Sequence, residues 1–288
     1  MTMQAREYPG VGDTLWSGRL PNWLSIYVVP RPGFQKKHAM LAVNYGGAMR
    51  SFTLDGARVD TPAGVAHYLE HKMFDLPEGN ALNILSARGA DANAYTGGDM
   101  TAYYFECDEG FEENLELLIK FVTTPYFTQE SVDKERGIIG QEIRMTEDDP
   151  SFVLYNSTMG ALFDHHPVRE SVAGTVESIA EITPQTLLDC HRAFYVPSNM
   201  VLAVCGDVEP ELVAETAGRL MPSQYVAGAV PDYGEREGLE PVKTRAEARM
   251  DVSEPMFIAA AKLCTELPKS EEASRLINVG SLAVRCML

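Results

Sequence analysis

Gly64-Val65-Ala66-His67-Tyr68-Leu69-Glu70-His71-Lys72-Met73-Phe74 is the stretch on which the reading of this chain turns. Residues four apart on an α-helix lie one turn above each other, so His67 and His71 project from one face with Glu70 beside them. Two imidazoles at that spacing can bind one Zn2+, whose borderline softness suits neutral imidazole nitrogen. A catalytic site then needs a third protein ligand and a position left open for water. Glu70 stands where it can act on that water. Val65, Leu69 and Met73 make the opposite side of the helix apolar, so the histidine pair must face a cavity or solvent. The plainer alternative is a set of exposed polar residues on a helix surface.

The flanking sequence supplies the frame. Thr61-Pro62 reads as an N-cap and first-turn proline opening the helix, after a polar loop containing Asp55-Gly56 and Asp60. Residues 23–29 and 39–45 are β-rich and read as adjacent strands. Beyond the motif, a short helix is expected near 81–87. Residues 91–96 and 101–107, joined by Gly97-Gly98-Asp99, read as a hairpin. Phe111, Leu115, Leu118, Ile119 and Val122 mark an amphipathic helix that Pro125 ends. From Thr128 a longer helix runs to Pro150, where it should break or kink before continuing over 153–163. Glu135 and Glu142, about two turns apart on it, share a face. A helix over 182–195, a strand over 199–207 and a helix over 210–221 follow. Strands and helices mixed without regular βαβ alternation predict an α+β fold: a mostly antiparallel sheet covered by helices on one side, with the histidine helix against the sheet edge.

At 288 residues the chain exceeds one ordinary core. Residues 226–241 are rich in Gly, Pro and Glu without an apolar period, which predicts a division into a domain over 1–225, a linker over 226–243 and an incomplete second domain over 244–288. Within that last part, 247–264 reads as a strand pair or one long strand and 271–288 as a helix. Such a short piece cannot bury its own core, so either a truncated second domain or a segment that packs on a partner is expected. The 24 Lys and Arg against 41 Asp and Glu give a formal charge of −17, which disfavours nucleic acid and anionic membrane as partners. The five cysteines are widely spaced without a Cys-x-x-Cys pair and read as reduced, mostly buried thiols. No apolar run approaches a membrane span and the start has no leader-like apolar core, so a cytoplasmic location is expected.

The order His67-x-x-Glu70-His71 is the reverse of the commoner zinc-protease order. From about Leu24 to Met221 the chain resembles the amino-terminal half of the pitrilysin/insulinase family of zinc peptidases, which includes the mitochondrial processing peptidase. The match rests on Gly64-x-x-His67-x-x-Glu70-His71-x-x-Phe74, on Gly89-Ala90-x-x-Asn93-Ala94-x-Thr96 with Thr101-x-Tyr103, and on Glu135-x6-Glu142-Ile143. His166-Pro167, Tyr195-x-Pro197-x-Asn199-Met200 and Gly206-Asp207 follow in the family's order. Glu70-His71-Lys72 further resembles the bacterial, two-subunit branch.

The resemblance implies a zinc metalloendopeptidase acting on short or unfolded peptides, with Glu142 as third metal ligand and Glu70 as the base that activates the water. Glu147, Asp148 and Asp149 are rival carboxylates that read more simply as a solvated helix end. Glu135 is either a hydrogen-bond partner that fixes the tautomer of a ligand histidine or an ordinary exposed helix glutamate. Asn93 and Ala94 would lie on an edge strand that receives the peptide substrate as an added β-strand; the alternative for Asn93 is a hairpin residue bonding its own backbone. His38, His165, His166 and His191 read as non-ligands. Active family members also use an Arg and a Tyr from the second half of the molecule, whereas this chain has no Tyr after Tyr233. The expected whole is therefore a two-domain protein of roughly 400 residues, acting as a homodimer or paired with a family-member subunit. The competing function is a non-catalytic scaffold or assembly subunit of the same fold.

Overall fold

The computed structural model describes residues 2–262, together with 270 and 275. The chain opens with the strands β1 (Gln4–Tyr8), β2 (Asp13–Arg19), β3 (Ser25–Pro30), β4 (Lys37–Val43), β5 (Ser51–Leu54) and β6 (Ala57–Asp60), of which β3 and β4 carry alternating buried apolar residues. The helix α1 (Val65–Met73) follows, then the two-residue strands β7 (Asp75–Leu76) and β8 (Gly79–Asn80), α2 (Ala81–Ala87), β9 (Asp91–Thr96) and β10 (Thr101–Cys107). The remainder is largely helical: α3 (Phe111–Thr123), α4 (Gln129–Glu147), α5 (Pro150–Leu162), α6 (Val176–Ala180) and α7 (Pro184–Phe194), then β11 (Met200–Gly206) and α8 (Pro210–Leu220).

Seven strands form one sheet in the order β1-β2-β3-β11-β4-β10-β9, antiparallel except where β11 runs parallel to β3. Every second side chain of the central strands is buried. Ile26, Val28, Leu41, Val43, Leu202, Tyr103 and Phe105 are fully enclosed, whereas Tyr27 and Val201 on the other face stay partly exposed. The expected α+β fold is what forms: α3 and α8 pack on each other and on β10, β4 and β3. The α3 stripe of Leu115, Leu118, Ile119 and Val122 is completely buried.

Three local expectations are corrected. Strands β3 and β4 are not neighbours, because β11 inserts between them with Leu202 level with Ile26 on one side and Leu41 on the other. No local signal shows that a strand from so far along the chain will claim the central slot. The supposed polar loop around Asp55-Gly56 is the turn of the β5–β6 hairpin; both residues have positive φ, 51° and 79°, which suits the twist of a two-residue turn. Nor does Thr61-Pro62 cap α1, since the Thr61 hydroxyl donates to the Arg50 carbonyl (2.9 Å) and the N-cap is Gly64 at φ 93°. A Cβ on Gly64 would lie 2.5 Å from the Ala173 carbonyl oxygen, and one on Gly174 (φ 74°) would lie 2.5 Å from that of Ala63. Two crossing backbones thus lock the start of α1, and only glycine fits at either crossing.

Residues 226–243 lack regular structure, as expected, yet are fastened to the body. The Ala229 N–H donates to the Ala193 carbonyl (2.9 Å) and the Asp232 N–H to that of Ser51 (2.7 Å). The Glu237 carboxylate accepts the backbone N–H groups of Asp164, His165 and His166 (2.9, 2.9 and 2.7 Å) and pairs with Lys262 (2.9 Å). No strand forms over 247–262, against expectation. The rest of that segment, and the helix expected over 271–288, fall outside the described residues apart from the isolated 275. Cys107 and Cys190 are buried free thiols and Cys205 is an exposed one. Among the described residues no helix is long and apolar enough to cross a membrane.

Candidate metal centre

Helix α1 is held on three sides. Its apolar residues Val65, Ala66, Leu69 and Met73 are almost wholly buried, its length packs on β9, β10, α4 and α7, and the Tyr68 hydroxyl donates to the Val132 carbonyl of α4. Helix α4 starts at a reciprocal Thr128/Ser131 capping box and buries Val132, Ile139 and Ile143. Glu135 follows Val132 by three residues and Glu142 follows Ile139 by three, so both carboxylates sit on the flank of the buried stripe that faces α1.

The two helices bring three ligand atoms together. Glu142 Oε1 lies 3.5 Å from His67 Nε2, and Glu142 Oε2 lies 3.5 Å from His71 Nε2. The donor atoms of His67, His71 and Glu142 all lie within 4.8 Å of one another. The rings of the two histidines meet at 65° with centroids 4.7 Å apart. Glu135 Oε1 is 2.9 Å from His71 Nδ1.

These residues fit zinc. Ligand bonds of 2.0–2.2 Å in a tetrahedron place donors about 3.4 Å apart, close to the two nitrogen–oxygen separations found. The protonation pattern agrees. With its Nδ1–H donated to Glu135, a neutral His71 turns the Nε2 lone pair toward Glu142 Oε2, so two acceptors face each other with nothing between them unless a cation or a proton lies there. Without metal, burial works against a charged His71, but the hydrogen bond and charge of Glu135, helped by Glu70 and Glu142, outweigh it and hold the imidazole above its ordinary pKa. The hydrogen bond and charge of His67, and the charge of His71, hold Glu142 below its own, despite partial burial. Metal binding therefore competes with protonation of His71, more strongly as the pH falls.

Glu70 is 7% exposed, and its Oε2 accepts the Thr96 hydroxyl at 2.5 Å. Its Oε1 has no hydrogen bond among the described residues. The rival carboxylates have other employment or none: Asp149 caps α5 by accepting the Ser151 and Phe152 N–H groups (2.7 and 3.2 Å), and Glu147 and Asp148 are exposed. The remaining histidines do not join the cluster. His38 lies 3.6 Å from Glu106; His166 Nδ1 accepts the Val168 N–H (3.1 Å) while its ring stacks on Tyr233. His165 contacts the Glu235 carbonyl (2.7 Å), and buried His191 contacts that of Val122 (3.1 Å).

Asn93 and Ala94 lie on β9, the terminal strand of the sheet on the α1 side. The Gly97 N–H donates to the Met100 carbonyl (2.7 Å) and closes the hairpin. Counting back in the register, Tyr95 and Asn93 exchange bonds with β10, and Ala92, Ala94 and Thr96 turn their backbone groups to the open edge. The Ala94 N–H is taken by its own neighbour, Asn93 Oδ1, at 2.9 Å. The side chains of Ala92, Ala94 and Thr96 face inward and that of Asn93 the other way, so Asn93 does not converge on the metal ligands. Sequence reasoning gives Thr96 no role. Its place in that inward-facing alternation, at the end of the strand beside α1, is the signal that could have found it.

With this geometry in hand, comparisons agree. Residues 54–176 match the pattern of Insulinase (Peptidase family M16) and residues 181–257 that of the Peptidase M16 inactive domain. The chain is 44% identical over 209 residues to the uncharacterized zinc protease YmfH of Bacillus subtilis, covering 72% of this chain and 49% of that protein. It is 36% identical over 160 residues to an uncharacterized zinc protease of Mycobacterium leprae, covering 54% of this chain and 36% of that one. Among solved structures, an M16-like peptidase from Alicyclobacillus acidocaldarius superposes with a TM-score of 0.75 at 35% identity, over 85% of this chain and 56% of its own. The chain thus spans about half, or less, of the length of the curated relatives it matches.

Proposed function

Because this chain belongs to the insulinase family of zinc peptidases, peptidase family M16, we propose that it is the zinc-binding half of a metalloendopeptidase that cleaves short or unfolded peptides. The observation that carries this reading is the meeting of His67, His71 and Glu142 donor atoms within 4.8 Å, from two helices far apart in sequence, with Glu70 beside them. In this reading His67 Nε2, His71 Nε2 and Glu142 hold the zinc, and Glu135 keeps the His71 proton on Nδ1 so that Nε2 presents its lone pair. Bound zinc supplies Lewis acidity, polarising the scissile carbonyl and making water nucleophilic near neutral pH.

Glu70 performs the proton work. Its Oε1 takes the proton from the attacking water and returns it to the leaving amine nitrogen. The edge of β9 binds substrate backbone through Ala92, Ala94 and Thr96, and the incoming strand displaces Asn93 Oδ1 from the Ala94 N–H. Main-chain pairing of this kind makes few demands on side chains, which suits unfolded peptides. The division into a domain over 1–225, a linker over 226–243 and the start of a second domain over 244–288 belongs to the same proposal. So does the need for groups from beyond this chain, whether a longer polypeptide, a second copy or a family-member subunit.

Zinc analysis together with cleavage of a quenched peptide, in parent and Glu70→Gln forms of the full-length protein, tests this. The variant is expected to keep its zinc and lose its activity. Zinc without Glu70-dependent turnover would instead assign the chain as a scaffold subunit.

A further inference from the structure

We propose that Thr96 is the positioning residue for the base: its hydroxyl clamps Glu70 Oε2 so that Oε1 alone is presented for proton transfer. The proposal rests on the peptidase reading above. Two contacts decide the direction of the hydrogen bond. Thr96 Oγ1 lies 2.5 Å from Glu70 Oε2 and 3.3 Å from Thr101 Oγ1. The Thr101 hydroxyl donates its single proton to the Tyr45 carbonyl at 2.9 Å, so it has none to offer Thr96. Toward Thr96 it can only accept, and at 3.3 Å it is the poorer acceptor, so the Thr96 proton goes to the Glu70 carboxylate at 2.5 Å.

The same contact ties two elements together. Glu70 belongs to α1, and Thr96 ends β9, one of the three residues whose backbone groups face the open edge. Thr96 thus links the strand that receives a peptide to the carboxylate that acts on it. The hydroxyls of the buried Tyr103 and Tyr195 lie 2.8 Å apart, and the Glu70 charge acts on both.

The test uses Thr96→Val, which keeps the shape and removes the donor, Thr96→Ser, which keeps the donor, and Glu70→Ala alone and combined with Thr96→Val. In zinc-free protein, Thr96→Val is expected to lower the urea midpoint when Glu70 is present and to leave it unchanged when residue 70 is alanine. In zinc-loaded protein with a quenched peptide, Thr96→Val is expected to lower kcat by about 10–100-fold with KM within about twofold, and Thr96→Ser to restore kcat to within about threefold. Equal midpoint shifts with and without Glu70 overturn the clamp itself. A shift that depends on Glu70 but leaves kcat untouched, or a rise in KM alone, reduces Thr96 to a structural contact and overturns the positioning role. A parent without Glu70-dependent turnover sinks the peptidase reading and the positioning role with it, while the unfolding measurements still decide whether the clamp exists.

Discussion

Glu135 is the residue whose removal should separate a working metal site from a chance gathering of polar groups. Its carboxylate lies 2.9 Å from His71 Nδ1, and the two side chains are 17% and 24% exposed, so solvent screens their interaction only in part. A hydrogen bond to a charged group at such a site contributes about 1.5–3 kcal/mol. Losing the partner that orients a metal-ligating histidine typically weakens metal binding about 10–100-fold. Glu135→Gln keeps an acceptor for the Nδ1 proton and loses the charge, so zinc affinity should fall about 10-fold; Glu135→Ala loses both and should fall about 100-fold, or roughly 2.7 kcal/mol. Competition with a chromophoric chelator at pH 8 measures this, with exposed Glu147→Gln as the control. The loss should shrink toward pH 6. There the parent must first expel the proton that Glu135 helps His71 to hold, whereas the alanine variant has less of it to expel. Zinc binding by Glu135→Ala as tight as the parent at pH 8 would refute the argument and leave Glu135 an ordinary helix glutamate.

Two further predictions concern stability. Gly64→Ala puts a Cβ at φ 93° and 2.5 Å from the Ala173 carbonyl oxygen, so it should destabilise the zinc-free chain by about 3 kcal/mol in urea unfolding; a loss under about 0.5 kcal/mol would mean that the crossing is not tight. Burial pushes His191 down to about 4, against 6.5 when unfolded. Because the folded value is the lower one, the unfolded chain takes up the proton first, and this contribution to stability is complete above about pH 6.5 and lost on acidification toward pH 4. The parent should therefore lose about 3 kcal/mol more than His191→Gln between those limits, and parallel pH profiles would show that His191 does not titrate as argued.

How much was legible in advance depended on the range of the interactions. The α1 histidines, the α3 stripe and the β9–β10 hairpin are each set by residues a few positions apart, and local pattern gave all three. The start at Thr128 and the helix-breaking Pro150 are equally local, so α4 and α5 were expected with nearly their true limits, and the structure adds the Thr128/Ser131 capping box. The slot of β11 was not legible, because β3 and β4 look the same with or without a strand between them. Gly64 as cap was hidden for a similar reason: what demands glycine there is the Ala173 backbone, far along the chain, while Thr61-Pro62 carried the more obvious local signature. Spacing alone left Glu142 among several acidic candidates, and α4 lying beside α1 is what separates it from Glu147, Asp148 and Asp149. The Thr96–Glu70 bond joins a strand end to a helix: the alternation of β9 marks Thr96 as inward-facing, but nothing local names its partner.

The open side of β9 also exposes the protein to its own kind. Proteins commonly guard a terminal strand with lysine, proline or a bulge, and Asp91-Ala92-Asn93-Ala94-Tyr95-Thr96 contains neither residue and pairs without interruption. On the proposed reading, the amide row that takes up a peptide can equally pair with another molecule of the same chain, the first step toward aggregation. Asn93 Oδ1, bonded to the Ala94 N–H, occupies the middle amide of that row, the one such pairing would need.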